Sequence, residues 1–67
     1  MTTNVYIVTQ ATGQWTVFHA GRHKGGYASQ FAAMQQALSS ARLARQSGGK
    51  SSVLLEEPDG RMQSVRL

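Results

Sequence analysis

A chain of 67 residues is one domain (1–67), too short to bury a large core, so it leans on tight packing or self-association for stability. It has no cysteine, which excludes disulfides and thiolate metal sites, and its two histidines stand far from its three carboxylates with no metal-ligand spacing. The net charge of +4 is unevenly spread: residues 1–55 hold five cations and no acid, while Glu56, Glu57 and Asp59 crowd together near the end.

The first residues lack the basic start and apolar run of a signal peptide, and no apolar stretch approaches the ~20 residues needed to cross a bilayer. The expectation is a cytoplasmic protein with no membrane partner. Residues 4–10, rich in β-branched and aromatic types, predict a first strand, and Trp15 to Ala20 a second. The short Ala11-Thr12-Gly13-Gln14 connection makes them an antiparallel hairpin. The three glycines of Gly21 to Gly26 predict a loop. From Gln30 to Gln46 the chain turns to Ala, Gln, Leu, Met and Arg without glycine or proline, which predicts a helix. Ser29 is placed to cap its start, Arg42 and Arg45 suit its negative end, and Ser47-Gly48-Gly49 stops it. Ser51 to Glu57 predicts a third strand, Pro58-Asp59-Gly60 a turn, and Arg61 to Leu67 a fourth strand. The expected fold is therefore α+β: a small antiparallel sheet of two hairpins (ββαββ) with one helix packed on one face.

Met34, Ala37, Leu38, Ala41 and Ala44 recur at helical steps and form a stripe of mostly small residues that can lie close on a sheet. Trp15 is expected against it. One helix covers one face only, yet Val5 and Ile7 oppose Tyr6 and Val8, Trp15 and Val17 oppose Phe18, and Val53 and Leu55 oppose Leu54. A second apolar face remains, which loops and Tyr27 or Phe31 fold over or a second copy covers. The homodimer is the favoured expectation, with Phe18, Leu54 and the outlying helical Leu43 at its interface.

No constellation of catalytic type stands out. His19 and His23 have no acid or nucleophile nearby in sequence. Gly21-Arg-His-Lys-Gly-Gly26 lacks the Walker spacing, and Glu56 and Glu57 alternate to opposite faces of a strand. Trp15, Tyr6 and Phe18 invite comparison with aromatic platforms for single strands, but no RNP signature is present.

The runs Asn4-Val-Tyr-Ile-Val8, Gly13-x-Trp15-x-Val17, Gly21, Gln36-Ala-Leu-Ser-Ser-Ala-Arg42 and Asp59-Gly60-Arg61 resemble a family of small bacterial proteins, domain-of-unknown-function family 2188. The resemblance spans nearly the whole chain and implies the hairpin–helix–hairpin order, without implying an activity. Where that family commonly begins its helix with Thr-Gln-x-Glu-Ala, this chain has Ala33-Met-Gln-Gln-Ala37.

These readings converge on a non-enzymatic, dimeric binding module without cofactor or metal. Its cations Arg22, Lys24, Arg42, Arg45 and Lys50 are expected to bind nucleic acid, an acidic protein or another polyanion. The alternative is a protein-interaction or structural module that works through an apolar sheet face or strand edge.

Overall fold

Alternating β-branched and aromatic residues build the first two strands, and the chain continues directly into a third. The computed structural model describes residues 3–11 and 13–65. Its elements are β1 (Thr3–Ala11), β2 (Gln14–His19), β3 (Arg22–Tyr27), α1 (Gln30–Gln46), β4 (Lys50–Glu56) and β5 (Met62–Val65). The expected turn at residues 11–14 keeps its Ala11–Gln14 pairing, while Thr12, like Arg66 and Leu67 of the expected last strand, lies outside the described residues.

The α+β class with a single helix stands, but the arrangement of two antiparallel hairpins does not. One sheet holds five strands in the order β3-β2-β1-β4-β5. Arg22–Tyr27, expected as a loop, is an edge strand antiparallel to β2. Ala20 and Gly21, with φ of 53° and 79°, form the two-residue turn between the paired His19 and Arg22. Two successive positive φ values match the twist of flanking strands, so this segment closes a hairpin where glycine content predicted a break. Gly25, at φ 76°, supplies an extra residue where the register shifts between Trp15 and Val17, a β-bulge in β3. A Cβ there would stand 2.5 Å from the Tyr27 ring, so only glycine lets Tyr27 fold back opposite Trp15.

The third strand changes the sheet from antiparallel to mixed. Three strands leave the chain at the end of the sheet where β1 finishes. The helix then carries it back to the end where β1 starts, so β4 pairs parallel to β1, from Thr3 opposite Lys50 to Val8 opposite Leu55. β5 returns antiparallel on β4.

The helix occupies the span its composition predicts. The Ser29 hydroxyl caps it, accepting the Ala32 N–H at 3.1 Å. At the other end the Gly48 N–H donates to the Arg45 carbonyl and the Gly49 N–H to the Ala44 carbonyl, the paired bonds of a Schellman stop, with Gly48 at φ 90°. Ala33, Ala37 and Ala41 are fully buried against Tyr6, Val8, Val17 and Val53. Met34, Leu38, Trp15, Tyr27, Leu55 and Val65 pack half-buried around them. Trp15 thus flanks the core, and its centre is the valine row. The Ser51 hydroxyl donates to the Ala41 carbonyl at 2.8 Å and ties the last turns of α1 to the start of β4.

The fold sets two stability expectations. Ala37 has no exposed surface, and Ala37→Leu inserts three heavy atoms into the helix–sheet seam. It is expected to lower the unfolding free energy by about 1–3 kcal/mol, seen as a lower urea midpoint at unchanged slope. Ala20 holds a left-handed conformation that its Cβ disfavours. Ala20→Asn, which favours that conformation and completes an Asn-Gly turn, is expected to raise stability by about 0.5–1 kcal/mol in the same measurement.

Candidate functional site

Strand direction sorts the charges. Because β1, β3 and β4 run the same way and α1 runs against them, Arg22 at the start of β3, Arg42 and Arg45 in the last turns of α1, and Lys50 at the start of β4 gather at one end of the sheet. Lys24 lies two residues along the same edge strand. All five are exposed, and among the described residues none has an acidic partner. The ion pair described in the molecule joins Arg61 to Asp59 at 3.4 Å, both well exposed and far from this end. The cations ring the end of the sheet and do not form a patch on one face. Lys50 projects from the face without the helix, whereas Arg22 and Lys24, opposite His19 and Val17, lie on the helix side.

Glu56, Glu57 and Asp59 occupy the opposite end, where β4 finishes and turns into β5. A cleft of about 260 Å³ lies there, lined by Thr9, Gln10, Trp15, Glu56 and Glu57. Its volume falls below the range usual for small-molecule pockets, about 300–1,000 Å³. Asp59 performs turn chemistry, its carboxylate accepting the Arg61 N–H at 3.0 Å. Among the described residues no group of three metal-ligating side chains comes together.

The two histidines, close in sequence, separate onto opposite faces. His19 stacks on Tyr6 with ring centroids 4.1 Å apart and donates from Nδ1 to the Val5 carbonyl at 3.1 Å. His23 lies against Phe18 at 4.7 Å, with Nδ1 3.0 Å from the Thr16 hydroxyl. They cannot act as a pair on one substrate.

The face without the helix, hereafter the open face, carries Val5, Ile7, Phe18, Leu54 and Met62. Ile7 sits between Phe18 on β2 and Leu54 on β4 in register, which gives a half-buried apolar row. Val5 and Met62 are exposed. Neither residue expected to fold over this face does so: Tyr27 packs on the helix-side core, and Phe31 is 72% exposed on α1. Phe18 and Leu54 share the open face. Leu43 does not join them, because it stands exposed on the helix across the sheet.

Beside the apolar row runs a chain of hydrogen bonds that sequence reasoning missed. Thr9 donates to the Glu56 carboxylate, the Thr16 hydroxyl donates to the Thr9 carbonyl at 3.3 Å, and His23 donates to the Thr16 hydroxyl. Four strands are stitched by it. Thr9 and Thr16 are cross-strand partners, and both are buried beneath their neighbours. The signal was the alternation that puts Thr9, Thr16 and Glu56 on one face, but the pairing that aligns them had to be known first. Because the Thr16 proton ends on a backbone carbonyl, the chain transmits no proton from His23 to Glu56; it holds side chains in place.

Compared with family models, with curated proteins and with solved structures, the chain matches none. No helix described here is long and apolar enough to cross a membrane.

The hydrogen-bond chain makes a measurable claim. Thr9→Val keeps the shape and removes the donor to Glu56. It is expected to cost about 1 kcal/mol of stability at neutral pH in a urea titration.

Proposed function

We propose that the chain is a small non-enzymatic binding module, a homodimer of the bacterial cytoplasm, whose basic end takes nucleic acid or a similar polyanion. The single observation that carries the reading is the gathering of Arg22, Arg42, Arg45 and Lys50 at the end of the sheet opposite every acid. Unpaired guanidinium and ammonium groups that the fold brings together raise the local potential for phosphate, and the acids at the far end orient the molecule as it approaches. Lys24 extends the surface along the β3 edge. Membership of domain-of-unknown-function family 2188 belongs to the same proposal and rests on the resemblance of the short runs between Asn4 and Arg61.

A second reading has its own support. The uncovered row of Ile7, Phe18 and Leu54 favours an interaction module that works through its apolar face. Salt separates the two, since polyanion binding weakens with added salt and apolar association does not.

Binding of a fluorescent single- or double-stranded oligonucleotide is expected at low salt, with log affinity falling linearly in log salt. Four phosphate contacts correspond to a slope of roughly −3 to −4. Arg42→Gln combined with Arg45→Gln is expected to make that slope shallower by about 1.5–2. No binding to either strand form at low salt sinks the polyanion reading and leaves the interaction module.

A further inference from the structure

We infer that the open sheet face is a two-fold interface between copies of this chain, in which β4 of one protomer crosses antiparallel over β4 of its partner and Lys50 of each faces Glu56 of the other. The inference rests on the reading of the chain as a homodimer and adds the surface, the orientation and the residues.

Side chains of β4 alternate between the two faces of the sheet. Val53 is buried against the helix and Ser51 bonds to Ala41 of α1, so the odd residues face the helix. Lys50, Ser52, Leu54 and Glu56 therefore line the open face. This stripe has a cation at one end, an anion at the other, and an apolar residue between them. A two-fold axis in the plane between two sheets, perpendicular to the strands and level with Val53, reverses the stripe on itself. It sets each Lys50 opposite a Glu56, about 20 Å from the equivalent pair. The same operation sets Val5 of one β1 against Ile7 of the other, because Val5 pairs with Ser52 and Ile7 with Leu54 across β1 and β4. The charges are thus complementary under one operation, and Val5 and Ile7 meet on either side of it, while each Leu54 lies opposite a Ser52 of the other copy.

The other chemistry of the face agrees. Glu56, Thr9, Thr16 and His23 are bonded to one another, so these bonds survive a dry partner, and the exposed hydroxyls of Ser52 and Ser64 are the polar groups the interface must satisfy. Among the described residues the one lysine or arginine of this face is Lys50, at the end of the stripe and opposite the partner's Glu56, so Arg22, Lys24, Arg42 and Arg45, at the end of the sheet and on the helix, remain for a polyanion. Five strands of four to nine residues, spaced about 4.8 Å apart, span about 20 Å by 20 Å. Two such faces bury on the order of 1,000 Å², where specific interfaces begin. Sheets packed this way keep their strands within about 30° of alignment, which lets β4 lie along its copy.

Charge reversal tests it. Because each substitution enters a two-fold interface twice, Lys50→Glu alone and Glu56→Lys alone are each expected to raise the dimer dissociation constant about tenfold or more. The double variant Lys50→Glu with Glu56→Lys is expected to return it to within a few-fold of the parent. Leu54→Lys, at the centre of the face, is expected to give a monomer. Sedimentation equilibrium without nucleic acid reads the mass, and far-UV circular dichroism verifies that each variant is folded. Should Glu56→Lys not fold, the mixture of Lys50→Glu with parent protein serves in its place, and heterodimers less stable than parent homodimers support the pairing. A parent protein that is monomeric at high micromolar concentration overturns both the dimer and this interface. A dimer that ignores the single reversals, or that the double variant fails to restore, keeps the dimer and overturns this surface, pointing to edge-strand pairing or hairpin exchange.

Discussion

The seam between Ala33, Ala37 and Ala41 of the helix and the valine row of the sheet sets the terms for everything else in this molecule. Only small side chains at these steps let a helix sit directly on Val8, Val17 and Val53, and burying each of those valines is worth about 1.5–3 kcal/mol to a domain with little to spare. A seam this narrow also limits what one helix can cover. The Ser29 cap and the Gly48-Gly49 stop fix its length, and the whole helix lies on one side of the sheet. The single helical layer and the uncovered sheet are two consequences of the same packing.

The route of the chain around that seam produces the charge layout. A third strand before the helix means that the helix travels back along the sheet and ends where β1, β3 and β4 begin. Its C-terminal arginines then meet Arg22 and Lys50, residues up to 28 positions apart in sequence. The acids follow β4 to the other end. Charge polarity in space is therefore a product of strand direction, and the surface divides accordingly: cations at one end, an apolar row on the open face, and a small acid-lined cleft opposite the cations.

The open face shows how a small sheet tolerates polar groups next to apolar ones. Thr9, Thr16, His23 and Glu56 satisfy one another across four strands, so the apolar row of Ile7, Phe18 and Leu54 adjoins a polar row with few unmet bonds. Such a face resists random polar contacts while remaining ready to be dried. Short β5 and the glycine bulge in β3 mark the two sheet edges, and both devices discourage uncontrolled strand pairing.

Much of the local structure was legible. The helix from Gln30 to Gln46, its serine cap and its glycine stop follow from propensity and capping chemistry acting within a few residues. The two-sided apolar pattern of β1, β2 and β4 follows from alternation alone, and it announced a face that one helix would leave open. β3 was not legible, because Arg22-His-Lys-Gly-Gly-Tyr27 has little intrinsic strand preference and is held by pairing to β2 and by the Ala20-Gly21 turn. The face that receives the helix is likewise decided by packing, and it leaves Leu43 exposed on the helix, across the sheet from Phe18 and Leu54. The sequence by itself determined the elements with strong local periodicity and the separation of acids from cations along the chain. The tertiary structure alone decided the fifth strand, the parallel pairing of β4 with β1 and the convergence of the cations, because these depend on contacts between residues that no local preference brings together.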